Sequence, residues 1–157
     1  PYGRRHIMSL WQNEDFEMSD GLMPCAFLTM WNVRNKNGKE YLDMTLVQRS
    51  GDMLVASGAG NVNEIQYAAL QMMIARHCGY ETGIFTHFIQ NEQIYDRHIE
   101  QALELLRRNP IKCSPNLILD KEINNFYLMK LDDFKLVGYP NNAIKEKNSS
   151  LKFDMGI

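Results

Sequence analysis

Hydrophobic and polar positions alternate most clearly over residues 40–49, where Leu42, Met44 and Leu46 stand against Asp43 and Thr45. A period of two predicts a strand with one buried face. Residues 24–33, Pro-Cys-Ala-Phe-Leu-Thr-Met-Trp-Asn-Val, are rich in aromatic and apolar side chains and predict a second strand. Between them lies Asn35-Lys36-Asn37-Gly38, and both residues of the Asn-Gly pair tolerate positive φ. The two strands are therefore expected to form a hairpin. An antiparallel hairpin brings its outer ends together, so Cys25 and Arg49 are expected neighbours.

Residues 51–62 hold Gly51, Gly58 and Gly60 with little periodicity and predict a loop. Residues 64–78 predict a helix, apolar on nearly all sides (Ile65, Ala68, Leu70, Met72, Met73, Ile74) and so central and buried. Asn63 falls at its N-cap and Gly79 at its end. Residues 82–89 read as a strand. A second helix is expected over 92–108, capped by Asn91, with Ile94, Tyr95, His98, Ile99 and Ala102 facing inward. Arg107 and Arg108 suit its C-terminal dipole, and Pro110 stops it. Strand-like runs follow at 116–119 and 134–139, then a polar loop at 141–150. No repeat or boundary breaks the chain. The expectation is one domain over residues 1–157, α+β, a mixed sheet with two long helices.

At 157 residues and 45% hydrophobic content, the chain can bury a sizeable core. A net charge of −2 argues against a nucleic-acid coat or a membrane-surface patch. Any cationic site must be local, and a local site suits a small anion. Cys25, Cys78 and Cys113 are odd in number and lack metal-like or disulfide-like spacing, so reduced thiols and no bound metal are expected. No apolar run approaches the roughly 18 residues of a spanning helix, and residence in the cytoplasm is the default expectation. Pro1-Tyr2-Gly3 opens directly onto Arg4-Arg5, which reads as a piece of a longer protein.

The residues that carry chemistry form an ordered series. Arg4-Arg5 and Trp11 precede Pro24-Cys25; Gln48-Arg49-Ser50-Gly51-Asp52, Asn63 with Tyr67, then Gln93-Ile94-Tyr95 and His98 follow. Guanidinium groups grip phosphate with forked, charge-assisted bonds. Positive charge beside a thiol favours the reactive thiolate. An anionic-nucleotide site with a nucleophile is the reading these side chains support.

This series resembles the C-terminal two-thirds of a thymidylate synthase, from Arg4 to the last residue. The resemblance implies that the Cys25 thiolate adds to C6 of the uracil of dUMP, so that C5 can attack the one-carbon unit of 5,10-methylenetetrahydrofolate. It implies that Arg49 and Ser50 hold phosphate within one subunit while Arg4 and Arg5 reach in from the other subunit of a homodimer. Asn63 would read uracil, since an amide offers an acceptor to N3–H and a donor to O4. The related cytidylate hydroxymethylases carry an acidic residue there. Tyr95, with Gln93, would contact the deoxyribose. Asp52 and the C-terminal Ile157 would contact folate, the tail closing over it.

The chain also departs from the family. Ala26 stands where a histidine usually follows the nucleophile, and Gln93 replaces the histidine of Asp-x-His-x-Tyr, read here as Asn91-Glu92-Gln93-Ile94-Tyr95. The loop between Asp52 and Asn63 is longer than usual and lacks the customary proline and phenylalanine. Two other functions therefore stand beside a methylating synthase. One is a pyrimidine-nucleotide hydroxymethylase of the same fold; the other is a catalytically silent nucleotide-binding or dimerisation module.

Overall fold

The computed structural model describes residues 1–17, 21, 23–58, 60–110, 112–120, 122–139 and 151–153. In chain order these hold β1 (Ile7–Ser9), α1 (Asn13–Phe16), β2 (Ala26–Lys36), β3 (Lys39–Gln48), β4 (Gly51–Asp52) and α2 (Val62–Cys78). Then come β5 (Glu81–Ile89), β6 (Glu92–Gln93), α3 (Ile99–Arg107), β7 (Asn116–Leu119) and β8 (Phe134–Val137). The polar loop expected at 141–150 lies outside the described residues.

The hairpin forms as expected. β2 and β3 pair antiparallel from Ala26↔Gln48 to Lys36↔Lys39. Its two-residue turn puts Asn37 at φ 54° and Gly38 at φ 78°, the positive values that match strand twist. The sheet has the order β1-β2-β3-β5, with β5 parallel to β3. A parallel neighbour needs a crossover, and α2 supplies it, packing on one face of the sheet. Leu42, Met44 and Leu46 all point into that layer and are buried, together with Val33 of β2 and Tyr67 and Ala75 of α2. The same phase carries Gln48 into the layer, also buried.

β3 and β5 shift register between Leu42 and Met44, and side chains mend the ladder there. The Asp43 carboxylate accepts Ile84 N–H at 2.7 Å, while Gln71 of α2 donates to Leu42 O at 2.8 Å and Ile84 O at 3.1 Å. Gly83 sits inside this bulge. A Cβ on it would overlap Asp43 Oδ1 and come within 2.6 Å of Leu42 O. Gly83→Ala is expected to destabilise the fold by about 1–3 kcal/mol, as overpacking does, read from urea unfolding; an unchanged midpoint would mean the bulge relaxes freely.

Asp43 also takes a two-point grip from Arg34 across the hairpin, at 2.9 and 3.1 Å. That grip holds its carboxyl below the usual range against the opposing effect of burial, and Ile84 N–H assists. A depressed folded-state value adds stability above the unfolded value near about 4, and this is lost as pH falls through the folded value. Asp43→Asn should therefore cost stability at neutral pH and progressively less below about pH 4. Unfolding midpoints of both proteins at pH 7 and pH 3 check it; a gap that does not narrow would refute it.

Three expectations fail. α2 begins at Val62, its N-cap is Asn61 at φ 56°, and Asn63 stands inside the first turn instead of capping it. Only Tyr67, Gln71 and Ala75 of α2 are buried, and Val62 and Ile65 are exposed, so the helix covers the sheet from one side rather than lying central. The second helix does not start at Glu92. Gly51↔Glu92 and Asp52↔Gln93 pair as a parallel ladder that holds 92–93 extended, so Asn91 caps nothing. A 3-10 turn at Asp96–His98 leads into the shorter α3, on which Ile99 is exposed. The edge strand β1 and the small helix α1 add to what the pattern indicates. Past α3, β7 and β8 pair with each other as a separate ribbon.

Candidate active site

The hairpin's outer end is the focus, and Arg49 organises it. Its backbone N–H donates to Cys25 O at 2.8 Å. Its guanidinium donates from Nε to Pro24 O at 3.0 Å and from Nη2 to Met23 O at 2.9 Å. One residue thus holds three successive carbonyls, the last belonging to Cys25. The expected neighbours do meet, but part of the guanidinium fork is spent on the chain leading to the thiol. Cys25 and Arg49 are both exposed. β2 shifts register between Ala26 and Leu28, the type of irregularity that re-aims side chains at a sheet end. Trp11 packs edge-on against Phe27 beside this end, at 5.9 Å between ring centroids.

Behind Arg49 and Ser50 lies a polar chain of which the motif series names Gln48 and Asn63 but not His87 or Glu64. The buried Gln48 donates from Nε2 to Ser50 O at 2.7 Å and to Asn63 Oδ1 at 3.3 Å. Its Oε1 lies 2.9 Å from His87 Nε2, and His87 Nδ1 lies 2.9 Å from Glu64 Oε1. The signal for both residues was phase. Gln48 continues the inward row of Leu42, Met44 and Leu46, and His87 lies between Phe85 and Ile89 on the inward row of β5. A polar side chain on an apolar face needs a partner.

Asp52 turns its own loop. Oδ1 accepts from Leu54 N–H at 3.1 Å and Val55 N–H at 3.3 Å, and Oδ2 lies 4.0 Å from Nδ1 of His98, which is 1% exposed. His98 packs edge-on against Tyr95 at 5.8 Å and Phe153 at 5.2 Å. The β4–β6 ladder sets Gln93 level with Asp52, and Met53 N–H donates to Gln93 O at 3.0 Å. Burial pushes the Tyr67 phenol above its ordinary value, so it stays a neutral hydroxyl.

Cys25, Arg49, Ser50, Asp52, Asn63, Gln93 and Tyr95 are therefore joined through one end of the sheet. Arg4 and Arg5 are not. Trp31 N–H donates to His6 O, so the arginines lie beyond Trp31 on the side away from Cys25. At roughly 3.3 Å per residue, the run from Cys25 to Trp31 alone spans roughly 20 Å. Ile157 lies outside the described residues.

The chain matches known proteins. Residues 1–150 fit the family model described as thymidylate synthase. The chain belongs to the thymidylate synthase family. It is 52% identical over 158 aligned residues to the thymidylate synthase of Streptococcus sanguinis strain SK36, covering all of this chain and 54% of that protein. It is 51% identical to the Streptococcus pneumoniae strain ATCC 700669 enzyme at the same coverage. Among solved structures, thermostable thymidylate synthase A from Bacillus subtilis aligns at TM-score 0.72 and 37% identity, over 88% of this chain and 47% of that one. The fold is thus the thymidylate synthase fold. The chain spans about half the length of the curated relatives it matches, less than the two-thirds expected.

Proposed function

We propose that this chain is the C-terminal, nucleophile-bearing part of a thymidylate synthase that converts dUMP to dTMP. The observation that carries the reading is the triple hold of Arg49 on Met23, Pro24 and Cys25, at the sheet end joined to Asn63, Asp52 and the Gln93–Tyr95 segment. Cys25 attacks C6 of the base from an exposed position at the mouth of the hairpin. Arg49 keeps further N–H groups for the phosphate, with Ser50 beside it. With Oδ1 already accepting from Gln48, Asn63 retains a lone pair for N3–H and amide hydrogens for O4. Gln93 and Tyr95 take the deoxyribose.

5,10-Methylenetetrahydrofolate supplies the carbon and the reducing equivalents, leaving as dihydrofolate. Asp52 fits an amine-bearing ring edge, because Oδ1 is held by its own turn while Oδ2 faces His98 outside it. Ile157 belongs to the same role.

A homodimer completes the site. Arg4 and Arg5 are too far from Cys25 of their own chain to share its phosphate. The sheet face away from α2 exposes Ile7, Met30, Ile84 (59%) and Phe88 (52%), an apolar surface suited to a second copy. Three exposed, unpaired thiols accord with a reducing cytoplasm. The sheet, its crossover helix and the two small ribbons form one domain.

The test joins this chain behind the N-terminal segment of the Streptococcus sanguinis relative and identifies the product made from dUMP and methylenetetrahydrofolate. A methylated nucleotide with matching dihydrofolate is expected. A hydroxymethyl nucleotide without dihydrofolate would transfer the reading to a hydroxymethylase, and no product would favour a silent module. The chain alone is expected to bind dUMP weakly and turn over poorly; vigorous methylation by it would contradict the need for a preceding segment.

A further inference from the structure

Asn63 can discriminate between pyrimidines only if its amide is held one way round, because oxygen and nitrogen ends present opposite patterns. Nothing in its own backbone setting fixes that choice; the chain of polar groups behind it does. Ser50 O is an acceptor only, and it lies 2.7 Å from Gln48 Nε2, which fixes which end of Gln48 is nitrogen. Gln48 Oε1 is then the group facing His87 Nε2 at 2.9 Å. An oxygen that only accepts demands a hydrogen on Nε2. The other ring nitrogen is held by Glu64 Oε1 at 2.9 Å, and that oxygen is anchored by Gly58 N–H at 3.3 Å. The His87 side chain is 10% exposed and stacks on Phe85 at 6.0 Å, so the ring cannot rotate without loss. Facing Gln48 Oε1, Nε2 is then the donating nitrogen.

We propose that His87, held by Glu64, is a positioning residue for Asn63: it holds the oxygen end of Gln48 while Ser50 O holds the nitrogen end, and through Gln48 it sets the end of the Asn63 amide that meets the base. The proposal rests on the reading of Asn63 as the uracil contact. It adds two residues, Glu64 on α2 and His87 on β5, that reach Asn63 through Gln48. Polarity runs in one direction: Glu64 orients His87, His87 donates to Gln48, and Gln48 donates to Asn63 oxygen. Breaking any link frees Asn63 to turn over, and uracil preference falls while shape is kept.

The experiment measures dUMP and dCMP binding by calorimetry on the chain joined to the relative's N-terminal segment and on its His87→Phe, His87→Gln and Asn63→Ala variants. His87→Phe should weaken dUMP about tenfold, the weight of one good hydrogen bond, and leave dCMP nearly unchanged. His87→Gln, whose amide can still donate to Gln48, should recover most of the loss. In an Asn63→Ala background His87→Phe should add nothing. Equal weakening of both nucleotides, or a full additional loss in that background, would overturn the proposal. Nitrogen NMR of the ligand-free native chain gives an arm independent of binding. A hydrogen on His87 Nε2 supports the relay, and a bare Nε2 breaks it. If the chain joined to the relative's N-terminal segment takes up no dUMP, the synthase reading fails and the NMR arm alone decides the relay.

Discussion

Replacing Cys25 by serine should lower methyl transfer at least about a thousandfold, as loss of a nucleophile does, in the completed polypeptide. The reason is chemical. A serine hydroxyl holds its proton far more tightly than a thiol and presents a harder, less polarisable atom to C6. Cys25 is exposed and belongs to no core cluster, so the substitution removes little packing. The melting temperature and dUMP affinity should therefore be nearly unchanged, because phosphate, sugar and base contacts lie elsewhere. Single-turnover dTMP formation and a thermal melt check both halves. A serine variant retaining most of the native rate would remove Cys25 from the chemistry, whereas one that fails to fold would assign it a structural role.

Arg49→Ala should be nearly as damaging, for two reasons that can be separated. The guanidinium offers charge to a phosphate and also holds Met23 O and Pro24 O. Removing it leaves two carbonyls short of donors and loosens the segment that presents the thiol. Losses of about 1–3 kcal/mol from each effect give roughly 30-fold to a few times 10⁴-fold in kcat/KM. Arg49→Lys should recover part of the dUMP affinity but little of kcat, since one ammonium cannot span two successive carbonyls and a phosphate. Deoxyuridine, which has no phosphate, separates the effects. If Arg49→Ala still slows the slow reaction of deoxyuridine, the hold on Cys25 matters; if only dUMP suffers, the arginine acts on phosphate alone.

The sheet end was legible in sequence because a short-range device specified it. Asn37-Gly38 fixes the turn, alternation fixes the register, and register brings Cys25 to Arg49. What Arg49 does with its fork was not legible, since nothing local says that the carbonyls of Met23 and Pro24 fold back towards it. The second helix was misread because its first residues have helical periodicity but are captured by a long-range ladder with Gly51 and Asp52. Asn61 and Asn63 both suit an N-cap by residue type; the helix starts after Asn61, which sits at φ 56° and makes no side-chain capping bond. β1 is three residues long and exists only because Leu28 to Met30 offer it a register. His87 was legible by the same phase that carries Gln48 inward: it breaks an inward apolar row, and it reaches the site through Gln48.

The most direct measurement uses a dUMP analogue with fluorine at C5, where hydrogen must leave after carbon transfer. Fluorine does not depart as a proton does, so a sulfur bond to C6 should persist. The completed polypeptide, treated with analogue and methylenetetrahydrofolate, is denatured, digested and weighed peptide by peptide. The expected result is one nucleotide per chain, on the peptide carrying Cys25. Recovery of all the analogue free, or its attachment to any other residue, would contradict the role given to that thiol.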